Sequence, residues 1–180
     1  MKHLLLFSFV CLSNAFGFAH ETNEAFFNIT QKENTIEIQA EFPFAMRNAL
    51  MTFNPSLENS TNKKDFENTF IDYIKANLIL KDKNGNELIY QEYKELKNEG
   101  HSHQNNYLII FKGNDLYEIT NTIMFNVFTD QVNYHNITIN SKQIKFKTKK
   151  GQLHFALNKN AEYWWLLFLF IPLIYILIRN

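Results

Sequence analysis

The segment Thr35-Ile36-Glu37-Ile38-Gln39-Ala40-Glu41-Phe42 alternates apolar and polar side chains without a break. Successive side chains of a strand point to opposite faces, so this period of two turns Ile36, Ile38, Ala40 and Phe42 to one side and Glu37, Gln39 and Glu41 to water. A helix would scatter the same residues around its circumference and bury nothing coherent. The pattern therefore demands a sheet with one dry face. Ala25 to Ile29 supplies a hairpin partner across Lys32-Glu33-Asn34. Pro43 ends the strand, and Phe44 to Leu50 reads as a short helix or turn.

The rest of the chain repeats short strand signals. Leu78-Ile79-Leu80 and Leu88-Ile89-Tyr90 flank Asn84-Gly85, which predicts a hairpin with a type I′ turn. Further strands are expected over Tyr107 to Phe111, Glu118 to Phe128, Tyr134 to Ile139, Gln143 to Lys147 and Gln152 to Leu157. Lys63 to Asn77 differs, because Phe66, Phe70, Tyr73 and Ile74 recur at helical spacing and Asn62 with Asp65 forms an N-terminal cap. Many short strands and one inserted helix predict a mainly β chain, an antiparallel β-sandwich of Ig-like kind. Its core should include Ile36, Ile38, Phe42, Ile123, Phe125 and Val127. Lys145 and Lys147 alternate with Ile144 and Phe146 and read as a solvated face or a guarded sheet edge rather than an anion site.

The two ends of the 180-residue chain read as targeting segments. Met1-Lys2-His3, the apolar run Leu4 to Leu12 and Gly17-Phe18-Ala19 predict a signal peptide, residues 1–19, cleaved after Ala19. Val10 stands where a lipobox needs a small residue before Cys11, so lipid attachment is not expected. Tyr163 to Ile178 carries no charge over about 16 residues, or ~24 Å of helix. Tyr163, Trp164 and Trp165 make an interfacial belt and Arg179 can snorkel, so residues 161–180 are expected to anchor the chain as one transmembrane helix. Residues 20–160 then form an extracytoplasmic, periplasmic domain held close to the membrane.

Composition narrows the partners. The formal net charge is zero, which argues against nucleic acid. Cys11 is the only cysteine, so the mature chain would have neither a disulfide nor a thiolate metal site. Aromatic residues make up 16% of the chain, enough for a substantial core.

Three stretches carry a resemblance: Phe70 to Ile74 closing the helix, Leu78 to Tyr90, and above all Ile119 to Asn133. Together they resemble a conserved exported domain family of unknown function from Gram-negative bacteria. With Ala19-His20 at the expected cleavage site, the chain is more distantly similar to the extracytoplasmic domain of hydrogenase/urease accessory-type membrane proteins. The resemblance spans roughly Glu24 to Leu157 and implies an envelope location; it implies no catalytic residue.

Motifs for chemistry are sparse. His20-Glu21-Thr22-Asn23-Glu24 has Glu where a zincin helix needs its second His. No P-loop, dinucleotide fingerprint or nucleophile elbow occurs. Asp130-Gln131-Val132-Asn133 reads as a turn held by Asx-type bonds to its own backbone. The histidines form one candidate site. His101 and His103, spaced by one residue in a polar loop, can present both imidazoles to one side, and His20 at a new N-terminus adds a ring and an amine. Zn²⁺, Cu²⁺ and Ni²⁺ all accept such ligands. The expectation is a non-enzymatic, membrane-anchored binding or assembly domain with no cofactor, contacting another envelope or membrane protein. The alternative is a metal-handling accessory domain.

Overall fold

In the computed structural model the strict alternation forms β2 (Thr35–Phe42), hydrogen-bonded to β1 (Glu24–Gln31) in the expected antiparallel hairpin. Ile38 faces Ile29 and Ala40 faces Phe27 across the pair, and Lys32 N–H closes the turn on the Thr35 carbonyl at 2.8 Å. The structure describes residues 23–97 and 105–157. The expected signal peptide 1–19 and anchor 161–180 lie outside these, as do His20, His101 and His103. Among the described residues no helix is long and apolar enough to cross a membrane.

The remaining strands are β3 (Leu78–Asp82), β4 (Ile89–Leu96), β5 (Asn105–Lys112), β6 (Leu116–Asn121), β7 (Val132–Ile139), β8 (Lys142–Thr148) and β9 (His154–Ala156). They make two sheets: six strands in the order β4-β5-β2-β1-β7-β8, and three in the order β3-β6-β9. The chain is mainly β, as its patterning requires. Two α-helices are described rather than one, α1 (Met46–Phe53) and α2 (Lys63–Asn77), joined through a 3₁₀ turn at Pro55–Asn59. Phe44 to Leu50 thus resolves into a helix, because Met46, Ala49 and Leu50 recur at a spacing that buries one stripe.

The cap of α2 is the one its sequence announces. Asn62 Oδ1 accepts from Lys64 N–H at 3.0 Å while its amide donates to Asp65 Oδ1 at 3.2 Å. Phe70, Tyr73 and Ile74 are buried, and Phe66 is half-buried. Fully burying such side chains stabilises the fold by about 1.5–3 kcal/mol each.

Three expectations need correction. First, the large sheet is not purely antiparallel, since β1 and β7 run parallel with Phe27 beside His135. A parallel neighbour requires a long crossover, and here nearly the whole domain between the two strands supplies it. Second, Leu78 to Leu80 and Leu88 to Tyr90 do not form a lasting hairpin. The turn exists: Gly85 N–H reaches the Asp82 carbonyl at 3.1 Å, and Leu88 N–H reaches the Leu80 carbonyl at 2.8 Å. Beyond it β3 pairs with β6 while β4 pairs with β5, so the arms enter different sheets. Only Gly85 has positive φ, at 84°, so the turn is type I with a left-handed glycine rather than type I′. Third, the strand expected over Glu118 to Phe128 stops at Asn121, and 122–128 is a turn.

The core lies between one face of the large sheet and the layer made by the small sheet and the helices. Phe27, Ile29, Ile36, Ile38, Phe42, Ile109 and Ile137 supply the large-sheet side, and Leu78, Leu80, Leu116 and Ile119 the small-sheet side. Ile36, Ile38, Phe42 and Ile123 are buried as expected. Phe125 and Val127 are only half-buried, because the turn replaces the alternation of a strand and buries the neighbours Ile123 and Met124 instead. β8 is an edge strand of the large sheet, with exposed Lys145 and Lys147 between half-buried Ile144 and Phe146.

Candidate functional site

The segment after Pro43 folds back over the β4-β5-β2 side of the large sheet, and Phe70 fixes it there. Its ring lies 6.1 Å from Phe42, 4.9 Å from Tyr93 and 4.6 Å from Tyr107, ring centre to ring centre. These contacts leave a groove of about 300 Å³ between α1, α2 and the β4-β5 hairpin. Its floor is aromatic: Phe66, Phe70, Tyr93 and Tyr107. Phe44 stands at the lip with 75% of its surface exposed, the most exposed of the large hydrophobic side chains described.

The rim is charged on both sides. Arg47 places its guanidinium carbon 4.6 Å from the centre of the Phe66 ring, and Lys63 reaches Glu67 at 3.4 Å. Glu95 joins the acidic side. The Tyr107 phenol is pushed up to about 12 by burial, then by the Glu95 charge and Tyr93. Tyr93 is raised for the same kind of reason, burial first and then Glu67 and Glu95. Both phenols therefore keep their protons at neutral pH and can donate to a ligand acceptor; neither is primed as a nucleophile or base. Aromatic faces, two phenols and charges of both signs suit an extended, amphipathic ligand.

A second polar feature lies on the far side of the core, between the sheets. Asn121 on β6 and Asn133 and His135 on β7 are all buried, with Gln131 just before them. Gln131 Nε2 donates to Asn133 Oδ1 at 2.9 Å, and Asn133 Nδ2 donates to Asn121 Oδ1 at 3.1 Å. The Asn121 amide meets His135 Nε2 at 2.9 Å. Asn121 Oδ1 also accepts from Ile123 N–H at 3.0 Å, and Asn133 Nδ2 also reaches the Ile123 carbonyl at 3.1 Å. The cluster thus satisfies backbone groups of the 122–128 turn, which no strand partner serves. Asp130 to Asn133 is consequently not a self-bonded Asx turn: two of its polar side chains point into the core.

His135 stacks between Phe27, at 5.1 Å and 14°, and Phe146, at 4.3 Å and 3°. Burial drives its pKa down to about 3, with the backbone of Asn133 and Phe146 acting weakly in the opposite sense. Its Nδ1, Gln131 Oε1 and Thr148 Oγ1 are buried without a hydrogen-bond partner. Tyr73 completes the support of the turn: its hydroxyl donates to Asn126 Oδ1 at 2.8 Å and accepts from Met124 N–H at 2.7 Å, holding Met124 at a φ of 66°.

The proposed metal ligands His101, His103 and His20 lie outside the described residues. His135 is committed to the buried cluster and His154 is exposed on β9. Among the described residues no group of three or more His, Cys, Asp or Glu side chains could hold a metal ion. The groove escaped sequence reasoning because its parts come from four elements. The one local signal was Phe44, an apolar residue outside any alternation.

No protein-family model matches the chain, and no curated protein matches it.

Proposed function

We propose that the chain is a membrane-anchored, extracytoplasmic binding domain that contacts another envelope protein through the groove between α1, α2 and the β4-β5 hairpin. One observation carries this reading: an aromatic floor, two protonated phenols and a rim of both charge signs meet at the exposed Phe44. Interfaces favour such residues, because aromatic side chains bring large contact area with few rotatable bonds and arginine adds a planar fork of donors that stacks on rings. The signal-like start, the apolar run over 163–178 and the resemblance of Ile119 to Asn133 to an exported Gram-negative domain support the location. The Ig-like sandwich is the finer architecture proposed for this platform, with the small sheet as its second layer.

The full chain, gently extracted from membranes, should bring down one stoichiometric protein. Arg47→Glu combined with Tyr93→Ala should remove it, and Lys83→Glu, on a distant surface, should keep it. Retention by the groove variant would overturn the reading. The alternative, a metal-handling accessory domain, rests on the spacing of His101 and His103 with His20. Calorimetry with Zn²⁺, Cu²⁺ and Ni²⁺ on the chain cleaved after Ala19 separates the two.

A further inference from the structure

A net charge of zero conceals a segregation along the chain. Residues 131–161 hold six lysines and not one Asp or Glu, so they carry +6 and the rest of the chain carries −6. Five of the six fall within 142–150, on β8 and the turn that follows it. Lys145, Lys147, Lys149 and Lys150 are all exposed, and none makes an ion pair among the described residues. The lysines that do are elsewhere: Lys32, Lys63, Lys81, Lys83 and Lys94.

The turn after β8 is tightly set. Gln152 N–H reaches the Lys149 carbonyl at 2.8 Å, Lys149 N–H reaches the Gln152 carbonyl at 3.0 Å, and Gly151 closes the bend at a φ of 84°. Leu153 follows directly and is 39% exposed. Guarding a sheet edge accounts for Lys145 and Lys147, which lie on the strand. It does not account for Lys149 and Lys150, which lie beyond it, or for a bare leucine beside them. Lysines around an exposed apolar side chain suit a lipid interface, where ammonium groups meet headgroups and the leucine meets the acyl boundary.

The onward path of the chain names that surface. The Phe155 ring of β9 stacks on Phe146 of β8 at 4.1 Å. Leu157, two residues further, is tied by its N–H to the Tyr117 carbonyl at 2.6 Å. The apolar run opens at Tyr163, six residues beyond Leu157, a reach of at most about 22 Å. An anchor over 163–178 thus confines β8 and its turn to the neighbourhood of the bilayer.

We infer that the β8–β9 side of the domain rests on an anionic lipid surface, with Lys145, Lys147, Lys149 and Lys150 against the headgroups and Leu153 in the interface. The inference rests on the reading of residues 163–178 as a membrane anchor. Each lysine close to such a surface strengthens binding about fivefold, so four together do so by several hundred-fold. A tether alone leaves the domain to tumble; the patch selects one orientation. β8 and β4 are opposite edges of the six-stranded sheet, five strand spacings apart, or ~24 Å. The groove beside β4 is then held away from the bilayer, open to a partner.

Quenching measurements on the full chain in lipid vesicles test it. In a Cys11→Ser background, a fluorophore is placed on Gln152→Cys in the turn or on Gln91→Cys on β4, both exposed positions. In phosphatidylcholine with about 30% phosphatidylglycerol, headgroup-attached nitroxide lipids should quench the turn label at least about threefold more than the β4 label. That contrast should fall at least about twofold in pure phosphatidylcholine, and likewise between ~50 and ~500 mM salt. Changing Lys145, Lys147, Lys149 and Lys150 together to Gln should lower it as much, whereas changing all four to Arg should preserve it. Alkaline carbonate reads the anchor separately and should leave the chain in both kinds of vesicle. A chain that carbonate strips away would overturn the anchor and this inference with it. An anchored chain whose contrast is equal in neutral and anionic vesicles, or survives the glutamine substitutions, would overturn this inference alone. A contrast seen in native membranes but absent from pure lipid would assign the patch to an acidic protein and overturn it as well.

Discussion

His135 is wedged between two phenyl rings with one nitrogen on Asn121 and the other without a partner, and this fixes how the domain responds to acid. Its folded-state value, about 3, lies far below the ordinary 6.5. Below pH 6.5 the unfolded chain takes up a proton that the folded chain refuses. Stability therefore falls as pH falls through that window, by up to about 1.4 kcal/mol per unit, and the loss levels off near the folded value. Urea unfolding at pH 7 and pH 4.5 should show the decline. His135→Gln should be less stable at pH 7 yet lose less stability on acidification, since glutamine does not titrate. An equal decline in the variant would place the acid response elsewhere. Tyr73→Phe should cost about 1–3 kcal/mol by thermal melting, because it leaves the buried Met124 N–H without its partner. A change near zero would mean that water replaces the hydroxyl. Phe27→Ala should cost about 3–5 kcal/mol, whereas the half-buried Phe125→Ala should cost less. That last contrast marks what was legible at this scale. Glu118 to Phe128 reads as a strand because it is rich in β-formers. Nothing local reveals that Asn121, Asn133 and Tyr73 will satisfy the backbone of a turn there instead.

At the scale of elements, the local grammar was largely readable and the choice of partners was not. Asn62 with Asp65 announces α2, and Asn62→Ala should lower stability by about 1 kcal/mol. β2 and β8 follow from their alternation, and β1, β5 and β7 from short runs rich in apolar and aromatic residues. The turn at Asn84-Gly85 is also where the residues place it. What it joins is decided by long-range competition: β3 finds β6, β4 finds β5, and the two arms of one hairpin part into two sheets. The parallel pairing of β1 with β7 is invisible for the same reason, since a strand's sequence does not encode its neighbour's direction. Gly113 shows the tightness of the join, where φ is 144° and an added Cβ would come within 2.7 Å of Leu88 Cδ2. Gly113→Ala should destabilise the domain measurably in a thermal melt, while an exposed control such as Lys150→Ala should not.

For the whole molecule, one face of the large sheet holds the core and, with the helices, shapes the groove. A groove built from Phe44, Phe66, Phe70, Tyr93 and Tyr107 could not be read in advance, because those residues lie far apart in the chain and only α2 packing on β4 and β5 collects them. The central claim is that this groove is the contact surface. It is tested most directly by replacing Phe44 with a photoreactive phenylalanine analogue in living cells, beside a control with the same analogue at Lys150. The account predicts one discrete adduct to another envelope protein from position 44, lost when Tyr93→Ala and Arg47→Glu are added, and none from position 150. Adducts of equal yield from both positions, or an adduct at position 44 that survives the groove substitutions, would contradict it.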